Sequence, residues 1–152
     1  EVDDFQFRCA IGKKGLTNKK VEGDFCTPIG TYKLENVFYR KDKVNLIKSN
    51  LKSKIIKNRM VWCNDSLSNY YNKLVKINNK FTYEKMYRHD YKYDYVIPLN
   101  YNRKKIQKYK GSAIFIHLTK NYEPTAGCIA ICQKDLEILL KIIKKHTYIK
   151  IS

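Results

Sequence analysis

No run in this chain approaches the roughly 18 apolar residues that cross a bilayer, which excludes a transmembrane segment from the expectation. No charged-then-apolar leader is visible, and the chain starts at Glu1 rather than methionine, so its N-terminus does not state a compartment. The five cysteines, Cys9, Cys26, Cys63, Cys128 and Cys132, form no CxxC pair and, with only three histidines, no zinc-finger quartet. A structural zinc site is therefore not expected. The odd count leaves at least one thiol free, and free cysteine is by default a small apolar core residue, which is the expectation for Cys9 and Cys26. Acidic residues are scarce, 14 against 31 basic, for a formal net charge of +17. Such a field attracts phosphates, anionic headgroups or acidic polymers without naming one. The lysines are interleaved with Asn, Ile and Tyr, with no compact Arg-rich block and no recognisable nucleic-acid motif. They read first as a solvated surface, and no specific nucleic-acid partner is expected. Repeats, Gly/Ser linkers and low-complexity tails are absent too. Residues 1–152 therefore read as a single domain, and 43% hydrophobic content suffices for its core.

What is present alternates. Phe5 to Gly12 reads as a strand, followed by a lysine-rich turn over 13–20. Thr27-Pro28-Ile29-Gly30 reads as a rigid bend, because Pro28 fixes one backbone angle and Gly30 tolerates a positive φ; it opens into a strand over Thr31 to Phe38. Residues 41–58 place Val44, Ile47, Leu51, Ile55 and Ile56 at helix-like spacing, though their Asn and Ser content suits a surface insertion equally well. Leu74 to Ile77 and Tyr93 to Asn100 read as strands, and 82–90 as one or two turns of helix. The clearest helix is the last. Leu136, Leu139, Leu140 and Ile143 follow i, i+3, i+4, i+7, with Asp135 in the first turn and Lys144, Lys145 and His146 in the last. Residues 147–151 alternate again as a terminal strand. The expected class is mainly β: a mixed-β domain with one clear C-terminal helix and one or two short helices.

Ile114-Phe115-Ile116 and Ile129-Ala130-Ile131 read as buried strands, which sets His117 and Cys128 at the ends of two rigid elements. A thiol with an ordinary pKa of about 8.5 is only slightly ionised at neutral pH, so a cysteine nucleophile needs a neighbouring base. His117, eleven positions upstream, is the candidate, and the turn containing Pro124 and Gly127 brings it within reach. Gly127, lacking a side chain, would let a substrate carbonyl approach the backbone N–H groups of Gly127 and Cys128 as an oxyanion hole. On spacing alone, a core histidine beside a small buried cysteine fits as well as catalysis does. His89 and His146 read as surface residues.

The separated motifs decide between the two. Glu22-Gly-Asp-x-x-Thr27-Pro28-x-Gly30-Thr31-Tyr32, then Phe115-Ile-His117 and Pro124-Thr125-Ala-Gly127-Cys128-Ile129, resemble the YkuD-type L,D-transpeptidase family over nearly all of the chain. The likeness is to a short branch that carries Trp62-Cys63-Asn64-Asp65, Tyr71-Asn72, Tyr83-Glu84, Arg88, Asp90, Tyr93 and Asp94 between them. The resemblance implies a β-rich catalytic domain acting on peptidoglycan stem peptides, with Cys128 as nucleophile, His117 as base and later acid, and the Leu118 carbonyl orienting the imidazole. The thiolate would attack the L-centred third residue and expel D-alanine. An amine would then resolve the thioester into a 3→3 cross-link, or water would give L,D-carboxypeptidase action. No metal or organic cofactor is implied, and the setting would be the periplasm or cell envelope, in cell-wall biogenesis and cell shape. A monomer is expected.

Trp62, Asp65, Arg88 and Thr125 are the candidate substrate-binding residues, although a lone tryptophan is as often core or lid, and Arg88 has Asp90 and Asp94 as intramolecular alternatives. Cys132 is a poor candidate for a resolving thiol. Family members usually read Ser/Thr-His-Gly-Cys, whereas this chain reads Thr125-Ala126-Gly127-Cys128, and Ala130 stands where many carry Arg or Asn. The usual anchor is thus missing, and Arg88, Lys120 or a tyrosine is left to replace it. The rival reading is a basic module for nucleic acid or cell-wall polymer in which Cys and His are merely structural.

Overall fold

Alternation of apolar and polar positions is realised as strands facing two separate cores in the computed structural model, which describes residues 5–152. In chain order the strands are β1 (Cys9–Ala10), β2 (Leu16–Thr17), β3 (Thr27–Pro28), β4 (Gly30–Lys33), β5 (Val37–Tyr39), β6 (Ser53–Ile55) and β7 (Met60–Cys63). There follow β8 (Leu74–Lys76), β9 (Tyr83–Lys85), β10 (Tyr95–Pro98), β11 (Phe115–Leu118), β12 (Ile129–Ile131), the helix α1 (Gln133–Ile142) and β13 (Tyr148–Ile151). The main sheet has six strands in the order β1-β12-β11-β10-β5-β6 and is mixed: β11 runs parallel to β12 and β5 to β6, while the other pairs are antiparallel. A three-stranded antiparallel sheet, β8-β7-β9, lies apart from it.

Successive side chains of the main sheet go to opposite faces. Val37, Tyr39, Tyr95, Ile97, Ile116, Leu118, Ile129 and Ile131 enter one core, where Leu136, Leu139, Leu140 and Ile143 close it. Phe38, Val96 and Phe115 enter the other, against Trp62 and Met86 from the small sheet region and Tyr93. The chain is mainly β with one helix among the described residues.

The helix is shorter than its sequence pattern. Asp135 sits in its first turn as expected, but Lys141 is the basic residue of the last turn and Ile143 is already extended. Thr147 Oγ1 then accepts the Lys144 N–H at 2.8 Å, so Lys144, Lys145 and His146 belong to the following turn. Neither short helix is found. Residues 41–58 instead supply β6 to the open edge of β5, and Ser49 and Asn50 make local turn or tertiary hydrogen bonds that compete with a helix. In 82–90, β9 pairs with β7 and Met86 is fully buried in the second core, an extended arrangement that a helical turn would break. Cys9 is exposed on the edge strand β1, and Cys26 is half-buried, so neither is the buried core residue expected; Cys63 is.

Two glycines join the Thr-Pro bend to the rest. A side chain on Gly12 would put its Cβ 2.4 Å from the Phe25 carbonyl oxygen, and one on Gly127, at φ 142°, would put it 2.8 Å from that of Cys26. Thr27 is fully buried, and its Oγ1 accepts the Gly12 N–H at 2.8 Å. The 25–28 segment thus fits between two backbones that only glycine allows so close.

Full burial of a leucine contributes roughly 1.5–3 kcal/mol, and truncation adds the cost of the cavity. Leu136, with no exposed surface, is the test of the helix's docking. We expect Leu136→Ala to lose about 3 kcal/mol in urea unfolding, while Lys141→Ala on the outer face changes stability by less than about 0.5 kcal/mol.

Candidate active site

Register decides which side chains meet. In the parallel ladder His117 pairs with Ala130 and Ile116 with Ile129. Cys128, two residues before Ala130, therefore falls on the face of His117, away from the helix. The loop between them is not a hairpin: it returns past β1, where Thr125 bridges Gly12 through the bonds Lys13 N–H to Thr125 O and Thr125 N–H to Ile11 O, both 2.9 Å. His117 and Cys128 line one cleft of about 310 Å³, whose walls include Lys20, Glu22, Asn64, Glu84, Arg88 and Lys120.

The imidazole is buried and held in one tautomer. Its Nδ1 lies 2.8 Å from the Leu118 carbonyl oxygen, an acceptor only, so Nδ1 carries the proton and Nε2 is left as the basic atom. The Tyr93 ring stands against it at 5.2 Å between centroids. Burial, reinforced by Lys92 and Arg88, lowers the His117 pKa to about 4 against the opposing hydrogen bond to Leu118.

The thiol has different neighbours. Cys128 Sγ donates to the Ala113 carbonyl oxygen at 3.1 Å and accepts the Phe115 N–H at 3.4 Å. Burial pushes its pKa up to about 12, with Glu84 adding to the rise. No hydrogen bond joins the thiol to the imidazole among the described residues, so the two rest as a neutral pair. The expected activation of the thiol by the histidine is absent at rest, because neither group has an opposite charge close enough to offset its desolvation.

The remaining predicted residues separate. Thr125 lines the cleft and closes its turn: Oγ1 donates to the Cys128 carbonyl oxygen at 2.6 Å and accepts the Gly127 N–H at 3.1 Å. The Gly127 amide is thereby engaged. Arg88 also lines the cleft, but its guanidinium is taken by Asp90 (Nε–Oδ1 2.9 Å, Nη2–Oδ2 2.6 Å) and by Glu84 at 3.1 Å. Trp62 and Asp65 do not line it. Trp62 is buried beneath, edge-on to Phe115 at 5.0 Å, with its indole N–H on Asn72 Oδ1 at 2.9 Å. Asp65 closes its own turn by accepting the Leu67 N–H at 3.0 Å. Tyr93 and Glu22 were present in the motif string without any role. Here Tyr93 abuts the imidazole, and Glu22 Oε2 accepts the hydroxyls of Tyr71 and, at 2.7 Å, Ser112. No group of His, Cys, Asp and Glu able to hold a metal occurs among the described residues.

The YkuD family, described as the L,D-transpeptidase catalytic domain, matches this chain over residues 2–151. The chain belongs to this family. No curated protein and no solved structure matches it. For an L,D-transpeptidase domain the substrate class is peptidoglycan and the setting the cell wall. No helix among the described residues is long and apolar enough to cross a membrane.

A neutral buried imidazole leaves a signature in stability. An unfolded histidine takes its proton near pH 6.5, the folded one only near about 4. Between these values the unfolded state binds more protons, so this contribution is complete above the upper one and is lost as pH falls. From pH 7 to pH 5 we expect a loss of about 2 kcal/mol through this residue, measured by urea unfolding, and a flatter dependence in His117→Gln. An identical slope in that variant would show that the imidazole is not held neutral.

Proposed function

We propose that the chain is a single-domain peptidoglycan L,D-transpeptidase in which Cys128 is the acyl-accepting nucleophile and His117 the general base and acid. The observation that supports this most directly is the shared cleft, with Sγ and a tautomerically fixed imidazole on one face. A stem tetrapeptide entering it would bring the carbonyl of its L-centred third residue to Sγ. The thiol proton passes to His117 Nε2 as the C–S bond forms, and the resulting ion pair is stabilised by mutual attraction. The Cys128 amide is the donor for the developing oxyanion, and the Gly127 amide shares itself with Thr125. The imidazolium then protonates the departing amine, D-alanine leaves, and a thioester remains. An amine from a second stem gives its proton to Nε2, attacks the thioester and forms the 3→3 link, and the thiolate recovers its proton.

Substrate holding falls to groups that the protein leaves unpaired. Asn64 lines the cleft and its Oδ1 is buried without a hydrogen-bond partner among the described residues, an acceptor suited to a peptide N–H. Lys120, exposed on the rim and without an ion-pair partner among the described residues, suits a stem carboxylate better than Arg88 does. A chain with this activity would work in the periplasm or cell envelope and bear on cell-wall assembly and cell shape, and its +17 charge suits a polyanionic wall.

Incubation with disaccharide-tetrapeptide, followed by mass spectrometry, tests the proposal. Wild type is expected to release D-alanine and yield 3→3 dimers, and Cys128→Ala to lose at least about 1,000-fold in rate. D-Alanine loss without dimers would replace the cross-linking assignment with L,D-carboxypeptidase action. No product from wild type would sink the catalytic assignment for this substrate, and salt-sensitive retention on DNA or wall polymer would then favour the binding module.

A further inference from the structure

The contacts of Cys128 lead to a residue that touches neither substrate nor imidazole. The carbonyl that takes its S–H belongs to Ala113, which stands at φ 53°, in the left-handed region that disfavours a side chain. Something must hold it there. Its own N–H donates to Asn72 Oδ1 at 3.1 Å. Asn72 is 1% exposed and fully engaged: Oδ1 also accepts the Trp62 indole N–H at 2.9 Å, and Nδ2 donates to the carbonyl oxygens of Tyr101 at 3.1 Å and Asn102 at 2.7 Å. The preceding residue, Tyr71, accepts the Gly111 N–H at 2.9 Å and donates to Glu22, which also takes the Ser112 hydroxyl. Gly111, Ser112 and Ala113 are thus fastened one after another by Tyr71, Glu22 and Asn72.

We propose that Asn72 is a positioning residue for the nucleophile, holding the Ala113 peptide so that its carbonyl, together with the Phe115 amide, fixes the Cys128 thiol. This rests on Cys128 being the nucleophile. The two backbone contacts select one direction for Sγ and keep its S–H pointed at the Ala113 carbonyl until His117 Nε2 takes the proton. The Phe115 N–H is already aimed at the sulfur and stabilises negative charge as it forms. Asn72 does not line the cleft, so its loss should disturb the reacting geometry and not the binding of substrate. A misdirected nucleophile lowers kcat and spares KM.

Two variants separate positioning from mere folding. Asn72 is itself at φ 56°, so Asn72→Gly removes the side chain without forcing the backbone. Ala113→Gly keeps Asn72 and all its bonds and relieves the strained φ, so it is expected to retain the wild-type alkylation profile and kcat. The readouts are the pH profile of Cys128 carboxamidomethylation by iodoacetamide, followed on the Cys128 peptide by mass spectrometry, the kcat and KM for D-alanine release, and the melting temperature. In Asn72→Gly we expect the alkylation midpoint to fall by about one pH unit as the thiol loses its acceptor. We also expect kcat to drop about 10- to 100-fold with KM within about two-fold. Ala113→Gly should melt no lower than wild type, because glycine accepts this φ freely. A folded Asn72→Gly protein, or the Asn72→Gly/Ala113→Gly double variant in which the φ of residue 113 is unstrained, with the wild-type alkylation profile and kcat would overturn the inference. If wild type released no D-alanine, the transpeptidase reading would fail separately, and the alkylation profiles would still decide whether Asn72 sets the thiol.

Discussion

Because β11 and β12 run parallel in the register that pairs His117 with Ala130, the cysteine two residues before Ala130 opens onto the same face as the histidine. A slip of one residue would turn Cys128 into the helix-covered core and bring Ile129 to the cleft. Much of the remaining structure protects that register. α1 buries the opposite face through Leu136, Leu139 and Leu140. The loop leading to Cys128 is tied to the β1 region at Thr125, and Gly127 is pressed against the Cys26 carbonyl. The Thr27-Pro28 bend, remote in sequence, therefore acts as a backstop for the Cys128 loop.

Burial then sets the chemistry. Surface lysines give the chain its charge, yet the two reactive groups are neutral at rest, since desolvation opposes the charged form of each. The nearest cations deepen this: Lys92 and Arg88 disfavour an imidazolium at His117. A standing thiolate-imidazolium pair would be drawn to any small electrophile. Under the proposed function, a neutral pair would delay ionisation until a carbonyl is in place to accept the sulfur, at the cost of moving a proton during the attack.

The legible parts of the fold were those with local periodicity. The terminal helix and the strands centred near Ile116 and Ala130 announce themselves, because their apolar residues recur at helical or strand spacing through residues such as Leu136 and Leu140. What the chain does at 41–58 did not, since Val44 and Ile55 sit at a helical period while β5 offers an edge that captures Ser53 to Ile55. That competition is tertiary. The site followed the same division. His117, Cys128 and Gly127 stand out by residue type, whereas Trp62, also conspicuous by type, lies under the cleft, and Asn72 is significant only through partners 10 to 41 positions away. Parallel pairing was also hidden, because two apolar runs joined by a turn look alike whichever way the second one runs.

Ala130 stands where the sequence resemblance implies Arg or Asn. It lies in register with the imidazole and is 2% exposed, so a long cationic side chain there would stand beside His117 and need a carboxylate of its own. The cation comes instead from the turn after β9: Arg88 stacks over Tyr93 at 4.9 Å, and Tyr93 meets the imidazole. Its forks, however, are filled by Asp90 and Glu84. It tunes the histidine and braces the tyrosine, with three of its five N–H donors already given to internal carboxylates, which weakens it as a partner for a substrate carboxylate. If the proposed function holds, that role passes to the rim at Lys120, where solvent and salt screen a lone ammonium. Substrate affinity would then depend on ionic strength far more than the chemistry does, since the reacting atoms stay buried below.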